Sequence, residues 1–240
     1  MHSSLLAKNG LKNKIAGADY NFRYQMVGDR IEEDMIRFLS EMNIKPLEIY
    51  SGQQVHGAQI GYADGTSGEE FVFGRIFQET DGLITDQPGI SLFIKYADCT
   101  PIVLFDPVKK IQAMVHSGWR GTVQRISEQA VEQMERDFHC SRENILAYVG
   151  PSIAMEHYEV GSEVYEAFAA FPNRDDFFKP HGEKYLLSMT DANLAIIREA
   201  GIKENNIEVE RISTFSTPTL HSARREGKEY GLNGLLTMME

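Results

Sequence analysis

Histidine and cysteine side chains can bind transition metals, and two histidines and one cysteine of this chain lie in positions that suit such a site. His56 and His116 lie at the ends of strands predicted to be buried, and Cys99 lies between two apolar runs that also predict strands. Functional side chains often gather where the chain leaves a buried strand. Imidazole nitrogen and thiolate sulfur are preferred zinc ligands, and three protein ligands leave a fourth position for water, as in catalytic zinc sites. The three residues are therefore a candidate metal centre.

The spacing of these residues leaves other interpretations open. The separations of 43 residues between His56 and Cys99, and of 17 between Cys99 and His116, match no short zinc motif. A cysteine between apolar strands is commonly a small core residue. The same residues also suit a metal-free thiol hydrolase, in which Cys99 is the nucleophile and either histidine is the base.

Two further features adjoin the candidate ligands. Asp98 precedes Cys99 in an apolar context, where a carboxylate is either functional, as a proton carrier, or structural, as the cap of a turn. Residues 117–122 join a buried strand to a helix predicted to begin near Thr122, and they include two glycines and Arg120. Free backbone N–H groups and a guanidinium suit a phosphate. The alternative is an ordinary turn in which Arg120 pairs with a carboxylate.

The elements that must position these residues are apolar runs that alternate with helical patterns. This alternation favours a mixed α/β or α+β domain in which helices cover sheets. The predicted strands are 47–54, 90–96, 101–105, 111–115, 145–149 and 207–212. The predicted helices are 29–43, a segment from about 122 to 138, 163–171 and 191–200. No repeat or linker interrupts the sequence, so we expect one domain over residues 1–240.

Composition and charge exclude several functional classes. The 240 residues carry 24 Lys and Arg against 35 Asp and Glu, which gives a net charge of −11. Nucleic-acid binding needs a basic surface that neutralises many phosphates, so DNA and RNA are not expected partners. No apolar run reaches the roughly 18 residues of a membrane span, and the two cysteines are too few for a disulfide framework. We expect a cytoplasmic protein, and the sequence leaves its oligomeric state open.

Six motifs occur together in one order along the chain. They are Gln54-Val55-His56-Gly57, Asp81-Gly82-Leu83-Ile84-Thr85, Ala97-Asp98-Cys99-Thr100-Pro101-Ile102, Val115-His116-Ser117-Gly118-Trp119-Arg120-Gly121-Thr122, Gly150-Pro151-Ser152-Ile153 and Tyr158-Glu159-Val160-Gly161. With these motifs the chain resembles the bacterial laccase-domain proteins. That family is also described as multicopper polyphenol oxidases and, more recently, as purine nucleoside phosphorylases. The resemblance is strongest between residues 51 and 165.

The resemblance implies a fold, an activity and a set of site residues. The implied fold is an α+β, four-layer α/β/β/α sandwich, and the implied cofactor is zinc. The implied activities are phosphorolysis of adenosine, inosine, guanosine and 5′-methylthioadenosine, and deamination of adenosine, so we expect purine nucleosides and phosphate as substrates. The expected site residues are Asp98, Cys99 and His116 for catalysis, Gln54, Ser117 and Arg120 for substrate binding, and His56, Cys99 and His116 for the metal. A true laccase does not fit, because the chain has no paired H-x-H motif.

The chain departs from the family pattern at both ends. Residues 15–21 stand where the family usually has Thr-Arg-x-Gly-Gly, so an arginine of use for phosphate is absent there. The family's closing Gly-Arg is Gly231-Leu232 here, and Glu156 and His157 replace its usual cysteines. These changes leave the three candidate ligands intact. They also keep open a zinc-binding domain that binds a partner and is not an enzyme.

Overall fold

The chain forms three β-sheets with helices packed on their outer faces. The computed structural model describes residues 1–240. The strands are β1 Leu11–Ala16, β2 Glu48–Gly52, β3 Ile60–Tyr62, β4 Glu69–Phe71, β5 Gly74–Phe77, β6 Gly82–Thr85, β7 Ile90–Tyr96, β8 Thr100–Asp106, β9 Ile111–Ser117, β10 Leu146–Val149, β11 Glu159–Val160, β12 Phe178–His181, β13 Lys184–Leu187, β14 Ile207–Val209 and β15 Asn233–Met239. The α-helices are α1 Ser4–Lys8, α2 Tyr24–Val27, α3 Ile31–Met42, α4 Trp119–Val123, α5 Ile126–Phe138, α6 Ser162–Ala167, α7 Met189–Glu199 and α8 Ala223–Glu226. Short 3₁₀ turns lie at Gly28–Arg30, Met155–His157, Arg174–Asp176, Glu204–Asn206 and Gly227–Glu229.

Two of the sheets have six strands each and contain both parallel and antiparallel pairs. The first has the order β1-β15-β7-β2-β5-β4, and the second has the order β14-β10-β8-β9-β6-β3. Strands β7, β2 and β5 are parallel to one another in the first sheet, so their carboxyl ends lie at one edge. A third, three-stranded sheet has the order β11-β13-β12. Its short strands were not predicted from the sequence.

The two large sheets pack face to face. Alternate side chains along their strands belong either to a core between the sheets or to clusters on their outer faces. Leu92 and Ile94 of β7 belong to a core cluster that also contains Met114 of β9, whereas Phe93 and Val115 belong to separate clusters on the outer faces. Successive side chains of a strand point to opposite faces of its sheet. Each large sheet is therefore buried on both faces, which explains why its strands have nearly continuous apolar sequences.

Helices supply the two outer layers. Ile31, Met35 and Phe38 of α3 pack on the first sheet, and α5 and α7 pack on the second with Ile126 and Leu194 among their contacts. These apolar residues recur at the three- and four-residue spacing of one helical face. The order of layers is helix, sheet, sheet, helix. This confirms the predicted α+β, four-layer α/β/β/α sandwich.

Some predicted boundaries were wrong. The helix expected to begin near Thr122 starts at Trp119 and is divided into α4 and α5, because Arg125 takes a left-handed conformation with φ 58° that interrupts the hydrogen-bond ladder. Strand β9 extends through Ser117, so residues 117–122 are not a loop. The helix predicted over 163–171 ends at Ala167, and the strand predicted over 47–54 ends at Gly52.

Candidate metal centre

The candidate site lies at the edge of the sandwich where the chain passes from the first large sheet to the second. Residues 53–59 connect β2 to β3, residues 78–81 connect β5 to β6, and residues 97–99 connect β7 to β8. These three connections carry His56, Asp81 and Cys99, and β9 brings His116 to the same edge. Side chains from distant parts of the sequence meet here because β2, β5 and β7 all end at this edge.

The structure brings together the three residues that the sequence proposed as metal ligands. One ligand atom of each of His56, Cys99 and His116 lies within 4.8 Å of the other two, and the two imidazole centroids are 5.1 Å apart. His116 is buried, Cys99 is half-buried and His56 is exposed. Zinc bonds to nitrogen and sulfur are about 2.0–2.3 Å long, so one ion between these atoms needs only small adjustments. The exposed side of the cluster leaves access for a fourth ligand.

Asp81 orients this cluster. Its Oδ1 lies 2.9 Å from Nδ1 of His116 and accepts the N–H of His56 at 3.0 Å, while Oδ2 accepts the N–H groups of Val55 and Gly57 at 3.0 and 2.7 Å. A carboxylate that holds one ring nitrogen of a histidine leaves the other free for a metal, which is the usual arrangement around ligating histidines. Sequence reasoning included Asp81 in a motif but gave it no role. The one available signal was a carboxylate directly before a buried strand.

Electrostatic coupling places a thiolate beside an imidazolium in this cluster. Burial raises the pKa of the Cys99 thiol, but His116 and His56 oppose this effect and lower the pKa to about 6. Burial lowers the pKa of His116, whereas Cys99 and Asp81 raise it to about 9. A thiolate is the form of cysteine that binds metal, and the imidazolium proton is the one that a metal would displace. The same pair also suits a cysteine nucleophile.

The shape of the cluster depends on one glycine, Gly118, and on the unusual backbone conformations of His56 and Asp98. A Cβ on Gly118 would lie 2.7 Å from Cδ2 of His56 and 3.1 Å from Sγ of Cys99. His56 and Asp98 have positive φ angles of 62° and 82°, a conformation that non-glycine residues rarely adopt. Such strained conformations are concentrated at functional sites, where surrounding contacts hold them in place.

Asp98 is held by hydrogen bonds on both carboxylate oxygens. The hydroxyl of Thr214 donates to Oδ1 at 2.6 Å, and the backbone N–H of Arg224 donates to Oδ2 at 2.7 Å. The carbonyl oxygen of Asp98 accepts the N–H of Ile153 at 3.0 Å. These contacts connect the turn that carries Cys99 to three distant segments. They agree with the interpretation of Asp98 as a structural residue of this turn. A role of Asp98 as proton carrier stays a prediction.

The two polar residues expected to bind substrate are occupied by protein partners. The Gln54 side chain accepts the backbone N–H of Lys95 at 3.0 Å and donates to its carbonyl at 2.6 Å. Ser117 is completely buried, and its hydroxyl contacts Thr122 at 2.9 Å and Asn193 at 2.8 Å. Gln54 still lines the cavity described below. Ser117 does not, because its side chain points between β9, α4 and α7.

Arg120 is an exposed cation at the start of α4. Its guanidinium lies 4.3 Å from the ring centroid of Trp119, and it forms no ion pair, so the alternative of a carboxylate partner is wrong. One of the backbone N–H groups predicted to be free has a partner within this short helix. Thr122 N–H bonds to the carbonyl of Gly118 at 2.8 Å, which removes it as a donor to an anion.

A cavity of about 560 Å³ opens beside the three candidate ligands. Side chains of His56, Cys99 and His116 form part of its wall. The rest is a mixture of aromatic, amide and charged groups, among them Phe71, Tyr230, Gln53, Gln78, Arg23 and Lys95. The volume lies within the range of about 300–1,000 Å³ that is usual for small-molecule sites. The candidate metal centre therefore faces a space that can hold a ligand of nucleoside size.

Comparison with known proteins decides the family. Residues 10–240 match the family described as "Multi-copper polyphenol oxidoreductase laccase". The chain belongs to this family. Among solved structures, YlmD from Geobacillus stearothermophilus has a TM-score of 0.89 at 23% identity over 99% of this chain and 94% of its own. Bacillus licheniformis YfiH has a TM-score of 0.86 at 24% identity over 97% and 90%. At these identities the two structures establish a shared fold.

Curated relatives carry names from nucleoside chemistry. A "Purine nucleoside phosphorylase" of Bacteroides thetaiotaomicron is 37% identical over 65% of this chain and 60% of its own length. "Adenosine deaminase RL5", from an unknown prokaryotic organism, is 40% identical over 63% and 59%. "Purine nucleoside phosphorylase YfiH" of Shigella flexneri is 30% identical over 82% and 76%. The aligned part spans about three fifths of the first two relatives. None of the helices in this chain combines the length and apolar composition needed to cross a membrane.

Proposed function

We propose that this protein is a zinc-dependent enzyme of purine nucleosides, which carries out phosphorolysis and deaminates adenosine. The observation that carries the proposal is the convergence of His56, Cys99 and His116 on the wall of a cavity of about 560 Å³. The names of the relatives indicate the substrate class. Adenosine, inosine, guanosine and 5′-methylthioadenosine are the proposed substrates, and phosphate is the proposed co-substrate.

The residues of the cluster are suited to holding zinc. His116 presents one ring nitrogen while Asp81 holds the other, and Cys99 is ionised because two histidines stabilise its thiolate. His56 closes the set from the exposed side. Zinc in such a site supplies Lewis-acid activation of water. Mixed nitrogen and sulfur ligands favour zinc over harder ions such as magnesium.

Two reactions share this cavity in the proposal. In deamination, water adds to the purine carbon that bears the amino group, and ammonia leaves. In phosphorolysis, a phosphate oxygen bonds to the ribose C1′ while the bond from C1′ to the purine nitrogen breaks, and the purine leaves with a proton. Arg120 has no carboxylate partner and can attract phosphate toward the site. Asp98 positions Cys99 through Thr214 and Arg224, and it is the candidate that the sequence offers for proton transfer.

A metal-free thiol hydrolase is the second candidate. The observation in its favour is the Cys99 thiolate beside the His116 imidazolium, because this pair resembles the activated nucleophile of cysteine enzymes. A domain that binds zinc and a partner without turnover is the third. The three candidates differ in what metal removal does to activity.

The test combines elemental analysis with an adenosine assay. We expect about one zinc per purified chain, and we expect adenosine to yield inosine without phosphate and adenine only with phosphate. Removal of the metal by a chelator, followed by readdition of zinc, should abolish and restore both products. Turnover that survives metal removal would support the thiol hydrolase. Bound zinc with no turnover of any of the four nucleosides would support the binding domain.

A further inference from the structure

Lys95 is a positively charged residue of the cavity wall whose ammonium group has only one hydrogen-bond partner. It lies on β7, one residue before the end of the strand, and its side chain lines the same cavity as His56, Cys99 and His116. Its Nζ donates to the carbonyl oxygen of Gly52 at 3.1 Å and lies 5.9 Å from the ring centroid of Phe71. An ammonium group has three donors. Two of them therefore have no partner in the protein.

No carboxylate compensates the charge of Lys95. It takes part in no ion pair, and burial is the only influence on its pKa, which it lowers to about 8. Glu69 and Glu70 line the same cavity, but the carboxylate of Glu69 accepts the Gln78 amide at 2.7 Å and neither residue pairs with Lys95. Lys95 is half-buried, and a partly desolvated cation without a counter-charge is costly. Such a group in a cavity wall is typical of a site whose ligand brings the opposite charge.

The other cations near the cavity are placed differently. Arg23 lines it, but its guanidinium donates to the carbonyl oxygens of Lys228 and Tyr230 at 2.8 and 2.9 Å and stacks on the Tyr230 ring. Arg120 is exposed and does not line it. Lys95 is thus the cavity cation with the fewest protein partners. The Gln54 amide also hydrogen-bonds both the backbone N–H and the backbone carbonyl of Lys95. These bonds fix the backbone position from which the Lys95 side chain extends into the cavity.

We propose that Lys95 binds the phosphate co-substrate inside the cavity, and that Arg120 acts only outside it. The inference rests on the proposed phosphorolysis. Phosphate is favoured over the nucleoside as the partner of Lys95 because purine nucleosides are neutral, whereas phosphate supplies the negative charge that this half-buried ammonium lacks as a partner. Lysine binds phosphate as a point charge, and its two free N–H donors are available to phosphate oxygens. This position also supplies a cation to a chain that lacks the arginine expected in residues 15–21.

The kinetic test separates phosphate from nucleoside. In Lys95→Met the KM for phosphate should rise about tenfold or more, as expected for a lost charged hydrogen bond, while the KM for inosine changes much less. Lys95→Arg keeps the charge and should remain within a few-fold of the native protein. Arg120→Ala should affect phosphate less than Lys95→Met does, and its effect should fade at high salt. A rise in the KM for inosine alone in Lys95→Met would overturn the inference and make Lys95 a nucleoside contact.

A binding measurement makes the inference independent of turnover. Inorganic phosphate is titrated by calorimetry into Cys99→Ser, which removes a candidate metal ligand, and into Cys99→Ser with Lys95→Met. We expect binding in the first variant and its loss in the second, with circular dichroism confirming that both are folded. Equal binding in both would overturn the role of Lys95 even where the native protein phosphorolyses nucleosides. Lys95-dependent binding in a protein that turns over no nucleoside would support the anion site and contradict the proposed function.

Discussion

The two cysteines lie in regions whose neighbouring groups shift the thiol pKa in opposite directions. Cys99 is on the edge where the chain passes between the large sheets, and charged neighbours lower the pKa of its thiol to about 6. Cys140 lies behind the second sheet, where burial first and the Asp106 carboxylate second raise the pKa of its thiol to about 12. Burial opposes ionisation at both positions. The difference shows that the sign of the neighbouring charges decides which of the two thiols ionises near neutral pH.

The backbone also differs between the two regions: it is regular around Cys140 and irregular around Cys99. The Cys140 region consists of regular strands and α5, packed in a cluster of 18 buried apolar residues. The Cys99 region consists of connections with positive φ angles at His56 and Asp98 and a buried carboxylate, Asp81. Apolar packing of the first kind contributes most of the stability of a domain. The second region can keep costly conformations because the sheets on both sides hold it.

The largest effect is expected from removing the thiolate at the edge. Cys99→Ser should lose stoichiometric zinc, because an alcohol does not ionise to replace a thiolate ligand, and zinc-dependent turnover should fall by about two orders of magnitude or more. Elemental analysis and the adenosine assay measure the two losses. Stoichiometric zinc retained by the folded variant would show that Cys99 is not a ligand.

Thiol reactivity compares the two cysteines directly. In metal-free protein at pH 7.5, iodoacetamide should modify Cys99 about a hundredfold faster than Cys140, because Cys99 is ionised above its pKa of about 6 and Cys140 stays protonated up to about 12. The rate at Cys99 should fall as the pH decreases through 6, and zinc should protect it. Peptide mass spectrometry gives both rates. Similar rates at the two positions would contradict the electrostatic contrast.

A smaller effect is expected at the carboxylate that orients the ligands. Asp81→Asn should weaken zinc affinity by about 10- to 100-fold, because an amide NH₂ would face either His116 or the N–H donors of Val55 and Gly57. Asp64→Asn is a matched control, since Asp64 also accepts N–H bonds, from Thr66 and Ser67, but in an exposed loop. Competition with a chromogenic chelator measures the affinities. Equal affinities in both variants would mean that Asp81 has no role in metal binding.

The sequence predicted the regular parts of this fold better than the site. A continuous apolar run identified strand 90–96 with its observed ends, since burial of both sheet faces leaves a local pattern. Apolar residues at helical spacing identified the core of α3. The contacts of the site are not local. Asp81 reaches His116 across 35 residues, and Ser117 reaches Asn193 across 76. The positions of His56, Cys99 and His116 at strand ends made them candidate ligands, and the family resemblance then favoured this interpretation, because separations of 43 and 17 residues carry no metal signature of their own.

The smallest effect is expected from the cysteine behind the second sheet. Cys140 is 4% exposed, and its backbone N–H bonds to the carbonyl of Met134 at 3.1 Å, so it fills the space after α5. Asp106 uses Oδ1 for the N–H groups of Val108 and Lys109, while Oδ2 has no nitrogen or oxygen partner. The Asp106 carboxylate also interacts with the Cys140 thiol, and this interaction raises the pKa of that thiol.

Two substitutions at Cys140 separate its packing from its hydrogen bond. Cys140→Ser keeps a donor for Asp106 and should keep zinc content and turnover within a few-fold. Cys140→Ala removes the polar group that faces Asp106, and where the thiol serves this carboxylate the free energy of unfolding should be lower by about 1–2 kcal/mol than in Cys140→Ser. Urea unfolding measures the stabilities, and elemental analysis measures the metal. Loss of zinc from folded Cys140→Ser would reverse the assignment of the two cysteines, whereas equal stabilities would mean that Asp106 does not use the thiol.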